Sequence, residues 1–218
     1  MPTPNILIAR HLGLCEYTPA WTAMREFTAA RNAATPDEVW LLQHPSVFTL
    51  GLNAKREHLL APGDIPVVAT DRGGQVTYHG PGQLIVYVLM DVRRRQLNTR
   101  ALVQVLERVI IEFLQERAVA AHARRDAPGV YIGEAKIAAL GLRVRQQGSY
   151  HGLSVNIAMD LNPFARINPC GYANLPVTQL ADWVNPLPLW PDLEREIVGR
   201  LAALLEYAQI ETEIASSL

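Results

Sequence analysis

The chain has 218 residues, of which 20 are Lys or Arg and 21 are Asp or Glu, so its formal net charge is −1. Hydrophobic residues make up 49% and charged residues 19%, which is enough apolar material for a buried core and excludes an intrinsically disordered chain. The near-neutral charge also excludes nonspecific binding to the phosphate backbone of nucleic acids.

Strand-length and helix-length apolar patterns follow one another along the chain. Thr18-Pro19 is typical of a helix start, with an N-cap residue before a proline. A second helix is predicted from Thr99, because apolar residues recur there at three- and four-residue steps. The complete prediction is helices at 18–33, from 99 onward and at 190–208, and strands at 5–9, 39–42, 47–50, 66–69, 84–90, 129–132, 135–144 and 152–158.

The order of these elements predicts the fold class. Residues 146–149, with the sequence Gln-Gln-Gly-Ser, suit a hairpin turn between the last two strands. Residues 162–188 contain so many prolines that a continuous helix or strand is excluded there. Since strands and helices are mixed without a regular β-α-β-α alternation, we predict an α+β fold. It would form a single domain over 1–218, with a mixed, largely antiparallel sheet flanked by helices.

Cysteine usage and the N-terminal sequence indicate the compartment. Cys15 and Cys170 are too few for a disulfide framework, and no Cys/His cluster has zinc-ligand spacing. The first residues lack the pattern of a signal peptide, and no stretch approaches the ~18 apolar residues of a membrane span. We expect a cytoplasmic protein, a monomer without metal or cofactor that binds neither membranes nor nucleic acid.

A glycine-rich segment at 72–83 is the first candidate site. Its four glycines would allow a ligand to approach the backbone closely, and Arg72, Thr77, Tyr78 and His79 lie within it. It lacks the GxxxxGK[ST] pattern of a phosphate-binding loop. The alternative is a long hairpin connection whose glycines serve only the turn.

Two single residues are candidates for covalent chemistry. Cys170 lies between a proline and a glycine on a turn that could present a thiolate, although cysteines are more often buried and inert. Lys136 is a lysine in a chain that uses arginine nearly everywhere else, which indicates a need for a titratable amine, although a solvent-facing lysine in a strand is ordinary. His79 or His151 could act as a base for a cysteine nucleophile, or could be a structural hydrogen-bonding residue.

Four segments in this order, RGGQVTYHGPGQ, GVYIGEAKIAALGLRVR, SYHGLSVNI and INPCGY, resemble the octanoyl-[acyl-carrier-protein]:protein N-octanoyltransferases. The resemblance runs over residues 41–179. It implies the fold of the biotin and lipoate protein ligases. It also implies transfer of an octanoyl group from octanoyl-acyl-carrier protein to a lysine of lipoyl domains, in 2-oxoacid dehydrogenases and the glycine cleavage H protein, as the first step in making protein-bound lipoate.

The resemblance also assigns site residues. By position, the acyl-thioester cysteine of the family corresponds to Cys170, and its partner lysine corresponds to Lys136. The acyl-binding segments of the family correspond to Arg72, Gly73, Gly74, Gln75, Val76, Thr77, Tyr78 and His79, to Ala139, Leu140 and Gly141, and to Gly152, Leu153 and Ser154.

These residue types suit the reaction. A Lys136 ammonium would favour the thiolate of Cys170, and acylation of that thiolate would then ready the lysine to accept a proton from the incoming amine. Backbone N–H groups near Gly171, or His79, could stabilise the oxyanion. Arginines at 93–95, at 124–125, or at 143 and 145 could bind an acidic carrier protein. The alternatives are an ATP-dependent ligase of the same fold, a non-catalytic acyl-binding module and a cysteine hydrolase.

Overall fold

A computed structural model describes residues 5–145 and 148–214, except for the side chain of Cys170. Within this part of the chain, an eight-stranded sheet and a three-stranded sheet are combined with three α-helices. The strands are β1 (Ile6–Leu14), β2 (Asp37–Gln43), β3 (Val47–Leu50), β4 (Val67–Ala69), β5 (Val76–His79), β6 (Gln83–Leu89), β7 (His122–Ala123), β8 (Gly129–Ile132), β9 (Ala135–Arg145), β10 (Gly148–Asn156) and β11 (Gln209–Ile214), and the helices are α1 (Tyr17–Ala30), α2 (Thr99–Gln115) and α3 (Trp190–Leu204).

The large sheet has the strand order β11-β1-β2-β6-β10-β9-β8-β7. β1 runs parallel to both β11 and β2, and every other pair in this sheet is antiparallel. The small sheet has the order β4-β3-β5, with β3 parallel to β4 and antiparallel to β5. The predicted α+β class with a mixed, largely antiparallel sheet is confirmed.

The two faces of the large sheet contribute to different apolar clusters. Alternate residues of β6 belong to one cluster or the other, because successive side chains of a strand point to opposite faces of the sheet. Val86 and its neighbours pack with side chains of α2 and α3, such as Leu106 and Ile197. Ile85 belongs to the other cluster, together with Met24 of α1. α2 and α3 therefore cover one face, and α1 covers part of the other.

The small sheet has an apolar cluster of its own. Phe48, Val76 and Tyr78 pack against Phe164 and Ile167, which come from the proline-rich segment predicted to lack regular structure. That segment contains short 3-10 turns, including Asn162–Arg166 and Pro169–Gly171. The prediction that it holds no continuous helix or strand is confirmed.

Several predicted boundaries are wrong. α1 begins at Tyr17 with Glu16 as its cap, so Thr18 lies inside the first turn. α3 ends at Leu204, and the chain then forms β11 instead of continuing as helix to 208. β11 pairs with β1 about 200 residues earlier in the chain, a contact that no local pattern reveals.

Two other predictions concern the turn at 145–149 and the whole domain. β9 and β10 are antiparallel neighbours, as the predicted hairpin requires, but residues 146 and 147 of its turn lie outside the described residues. The assignment of 1–218 to one domain stays a prediction. No helix in the described ranges is both long and apolar enough to cross a membrane.

Candidate acyl-transfer site

A cleft lies on the α1 face of the large sheet. Residues from the glycine-rich segment, from three strands of the large sheet and from α1 line it: Tyr17, Arg72, Gly74, Gln75, Val76, Thr77, His79, Ile85, Tyr87, Ala139, Leu140, Gly141, His151, Gly152, Leu153 and Ser154. Twelve of the predicted acyl-binding residues are therefore brought together in one cavity.

The floor of the cleft consists of small residues on two paired strands. Ala139 of β9 lies opposite Ser154 of β10, and Gly141 lies opposite Gly152. Because these residues carry little or no side chain, space remains above the sheet that larger residues would fill. The sequence of β9 and β10 thus creates a groove along the strand direction.

The opposite wall is the glycine-rich segment, which is fixed by Arg72. This guanidinium is buried, and it donates to the Thr49 hydroxyl and carbonyl oxygens and, over 2.8 Å, to the Gln75 carbonyl. A Cβ atom at Gly51 would lie 2.3 Å from the Gly74 oxygen, so the loop needs a glycine for this close approach. The interpretation of this segment as only a connection is incomplete, because residues 76–79 form β5.

The remaining two residues of that segment lie beside the cleft. The Gly73 N–H donates to the Leu142 carbonyl over 2.9 Å and so ties the segment to β9. The ring of Tyr78 points into the cluster of the small sheet, 5.5 Å from the Phe48 ring and 5.4 Å from the Phe164 ring. Both residues therefore support the wall of the cleft instead of lining it.

A second cavity adjoins the cleft. The two share Thr77, Ala139 and Ser154, and the second cavity also contacts Lys136 and Pro169. We refer to these two neighbouring cavities, which follow β9, as the path. Lys136 and the turn that carries Cys170 belong to one end of it, and Gly141 belongs to the other.

Lys136 is almost completely buried at its end of this path. Its Nζ atom donates to the Pro128 carbonyl over 3.0 Å and lies 5.1 Å from the centre of the Tyr131 ring. Its backbone pairs with the segment at 176–178, through Pro176 and Thr178. The alternative of an ordinary solvent-facing lysine is therefore wrong.

The backbone of Cys170 lies in the 3-10 turn Pro169–Gly171. The turn is closed by the Gly171 N–H, which donates to the Asn168 carbonyl over 3.0 Å. It is tied to the segment before β4 by the Asn168 N–H, which donates to the His58 carbonyl over 2.8 Å. The side chain of Cys170 lies outside the described part of the chain.

Buried histidines lie at and behind the other side of the cleft. Burial lowers the pKa of His79 to about 3 and that of His44 to about 4, so both rings are neutral at neutral pH. Since the Cys15 carbonyl can only accept, His44 Nδ1–H donates to it over 2.6 Å, and Nε2 accepts from the Tyr87 hydroxyl over 2.6 Å.

A chain of hydrogen bonds links His79 to the Lys136 end of the path. His79 Nδ1 bonds to the Gln83 side-chain oxygen over 2.7 Å, and the Gln83 amide donates to the Asn156 side chain over 2.9 Å. The Asn156 amide then donates to the Thr178 carbonyl over 2.9 Å. The Thr178 N–H in turn donates to the Lys136 carbonyl over 3.0 Å, so these buried amides connect the wall of the cleft to the lysine strand.

His151 has an unusual backbone within β10. Its φ is 59°, a conformation that non-glycine residues adopt rarely and mostly where surrounding contacts enforce it. Its Nε2 donates to Asp71, which also accepts hydrogen bonds from Trp21 and Tyr150. Burial acts to raise the pKa of Asp71, but these hydrogen bonds outweigh it and hold the pKa below its usual range. Burial lowers the pKa of His151, and the hydrogen bond to Asp71 opposes that change.

The three arginine groups proposed for a carrier protein differ in their contacts. Arg94 and Arg95 both pair with the buried carboxylate of Asp37, so they stabilise the fold. Arg124 pairs with the exposed Glu134. Arg145 lines a separate groove beside α1.

Three residues of the cleft were not found from the sequence. Tyr17, Ile85 and Tyr87 line the cleft, but each lies within an ordinary apolar pattern and gave no local signal. Among the described residues, no three His, Cys, Asp or Glu side chains are grouped so that they could hold a metal ion.

The sequence profile described as "Lipoyl protein ligase A/B catalytic domain" matches residues 16–201. The chain is 56% identical over 207 residues to an octanoyltransferase of Azotobacter vinelandii, covering 95% of each protein. It is 57% identical over 203 residues to an octanoyltransferase of Stutzerimonas stutzeri, covering 93% of this chain and 92% of that one. The chain belongs to the octanoyltransferases. It is therefore an acyltransferase of the lipoyl protein ligase A/B family.

Three solved structures share the fold of this chain at low sequence identity. Lipoate-protein ligase A bound with ATP has a TM-score of 0.73 at 14% identity, with 99% of this chain and 89% of that chain covered. A bi-partite lipoate protein ligase from Thermoplasma acidophilum has a TM-score of 0.73 at 13% identity, with 99% and 87% covered. Biotin protein ligase from Aquifex aeolicus has a TM-score of 0.52 at 9% identity, with 92% and 69% covered. The fold expected from the resemblance is confirmed.

Proposed function

We propose that this octanoyltransferase moves an octanoyl group from octanoyl-acyl-carrier protein to a lysine of lipoyl domains, through a thioester on Cys170. The acceptors would be the lipoyl domains of 2-oxoacid dehydrogenases and the glycine cleavage H protein, and the enzyme would act as a monomer in the cytoplasm. The observation that carries the proposal is the path along β9, because it places a cleft with a floor of small residues next to the buried Lys136 and the turn of Cys170.

The cleft suits an unbranched acyl chain. Its floor has small residues, and Ile85, Leu140 and Leu153 add apolar surface. Each CH₂ group that leaves water contributes ~0.8 kcal/mol, so an eight-carbon chain has ample driving force to enter. The reacting carbonyl would then lie toward Lys136, with the tail toward Gly141.

In the first half-reaction, the sulfur of Cys170 attacks the carbonyl carbon of the donor thioester. A free thiol with a pKa of about 8.5 is mostly protonated at neutral pH, so an adjacent ammonium that favours the thiolate increases the reactive fraction. The bond to the carrier sulfur breaks, and the departing thiolate takes a proton from the Lys136 ammonium. Lys136 is then a neutral amine, and the octanoyl group is on Cys170.

In the second half-reaction, the ε-amine of the acceptor lysine attacks the enzyme thioester. Lys136 accepts the one proton that the nitrogen must lose once the carbon–nitrogen bond has formed, so the amide is released uncharged. The carbon–sulfur bond then breaks and restores the Cys170 thiolate beside the Lys136 ammonium. A thioester is converted to an amide, and neither half-reaction requires ATP.

Paired transfer assays test the proposal against a ligase of the same fold. We expect the protein to octanoylate a lipoyl domain from octanoyl-acyl-carrier protein without ATP, and to be inactive with free octanoate plus ATP. The Cys170→Ser variant should lose the activity. Octanoylation that requires free octanoate and ATP and survives in Cys170→Ser would contradict the proposal, and release of free octanoate without amide would identify a hydrolase.

A further inference from the structure

Glu107 is an acidic residue of α2 that is buried against the lysine end of the path. Its Oε1 atom accepts a hydrogen bond from the Gly129 N–H over 2.9 Å. The neighbouring Pro128 carbonyl is the group that accepts from Lys136 Nζ over 3.0 Å. The Glu107 carboxylate therefore binds the Pro128–Gly129 backbone, and the Lys136 ammonium binds the same backbone.

Gly129 fits closely between these two charged groups. A Cβ atom there would lie 2.5 Å from Lys136 Cε and 2.9 Å from Nζ. The lysine side chain thus lies next to the Cα atom of Gly129, the residue whose N–H donates to Glu107. The two residues act on each other electrostatically as well: burial raises the pKa of Glu107, and the Gly129 hydrogen bond and the Lys136 charge oppose that rise.

We propose that Glu107 is a positioning residue for Lys136, fixing the Pro128–Gly129 backbone against which the ammonium is held and placing an acidic side chain beside it. The proposal rests on the proposed function, in which Lys136 exchanges a proton in each half-reaction. The Cys170 thiolate would be lost on acylation, whereas the Glu107 side chain would stay beside Lys136 in both half-reactions. It would therefore hold Lys136 in position between the two steps.

Four arginines line the surface groove that contains Glu107: Arg100, Arg108, Arg124 and Arg125. Two of them pair with other carboxylates. Arg108 pairs with Glu112 over 2.6 Å, and Arg124 pairs with Glu134. Glu112 lies on the same helix and carries the same charge, so Glu112→Gln is a matched control for Glu107→Gln.

The lysine content of the chain makes a direct test possible, because the sequence contains only Lys55 and Lys136. Labelling with [ε-¹³C]lysine gives two side-chain signals, which Lys55→Arg assigns. We expect Glu107→Gln, which keeps an acceptor for the Gly129 N–H, to move the titration midpoint of the Lys136 signal to lower pH by about 1 unit. The Lys55 signal should stay in place, and Glu112→Gln should leave both signals unchanged.

A second variant separates the charge from the hydrogen bond. Glu107→Ala removes both, so it should move the midpoint and also average the two ε-methylene protons of Lys136, which a fixed side chain keeps distinct. A midpoint shift in Glu107→Gln no larger than in Glu112→Gln would overturn the proposal. The titration uses no acyl donor, so a protein that shows the shift but does not transfer octanoate would contradict the proposed function alone.

Discussion

Individual residues at the lysine end of the path are constrained by backbone atoms. Gly129 has a φ of 149° and lies against the stem of Lys136, so this site depends on the absence of a side chain. The sequence showed Lys136 as an isolated lysine and gave its family role through the resemblance. Its contacts with Pro128 and Gly129 could not be predicted, because they depend on the register between β8 and β9, which has a bulge between Val130 and Tyr131.

A methyl group at Gly129 should therefore displace the lysine. We expect Gly129→Ala to lower the rate of octanoyl transfer by about 10²-fold, since a displacement of about 1 Å at a reacting group has that effect. Steady-state transfer to a lipoyl domain is the measurement. Gly133→Ala is the control, because Gly133 also has a positive φ but a Cβ there meets nothing within 4 Å. Equal activity in the two variants would show that the close contact is unimportant.

Lys136 itself is expected to act as a base in the second half-reaction. Lys136→Arg keeps a positive charge but cannot accept a proton near neutral pH. Transfer from preformed acyl-enzyme should slow by about 10²-fold or more, the usual contribution of a general base. Single-turnover measurements with isolated acyl-enzyme give this rate directly, and a rate equal to that of the unsubstituted enzyme would exclude the base role.

At the scale of elements, the sequence predicted the long strands and helices and missed the short or distant ones. β6 and α2 have strong periodic patterns, and both were found. β5 was missed because its four residues lie among glycines, and its pairing with β3 is what makes it a strand. β11 was missed because all its residues are exposed, so its alternation does not mark a buried face.

β11 is the strand farthest from the site. It pairs with β1 at one edge, and β2 and β6 separate that pair from β10 and β9. A chain that ends at Ala208 should lose about 1–3 kcal/mol of unfolding free energy, the usual range for a moderately destabilising change. Its kcat for transfer at low temperature should equal that of the full chain. Urea unfolding and transfer assays measure the two quantities, and a large loss of kcat in the folded protein would show that β11 supports the site.

At the scale of the whole molecule, the net charge is near neutral, but some titratable groups are buried and others are exposed. His44, His79 and His151 are all buried at or behind the cleft, and burial lowers the pKa of each. The sequence marked His79 and His151 as candidates but showed nothing of their burial, which depends on how distant parts of the chain pack. The neutral rings of His44 and His79 link the stability of the molecule to pH.

The stability of the protein should therefore fall in mild acid. The unfolded chain protonates histidine below about pH 6.5, whereas His44 and His79 remain neutral in the folded state down to about 4 and about 3. The contribution of these rings is complete above pH 6.5. It is lost as pH falls toward 4, by about 1.4 kcal/mol per pH unit for each ring. Urea unfolding between pH 7.5 and 5 measures this slope.

A substitution separates the histidines from other acid effects. Glutamine in place of His79 should reduce this slope by about 1.4 kcal/mol per pH unit, because that ring is neutral in the folded state. Asp71 affects stability in a lower pH range. Its pKa is depressed in the folded state, so its contribution is complete above the pKa of an unfolded aspartate and is lost at lower pH. An unfolding free energy that stays constant from pH 6.5 to 5 would contradict the neutral, buried state of these rings.

The central claim is that the octanoyl group passes through Cys170 at the lysine end of the path. Rapid mixing with octanoyl-acyl-carrier protein, followed by intact-mass analysis and peptide mapping, measures it most directly. We predict one octanoyl group per chain, located on the peptide with Cys170, formed at least as fast as overall turnover and lost when a lipoyl domain is added. Transfer that proceeds with no adduct on Cys170, or with an adduct formed more slowly than turnover, would contradict the account.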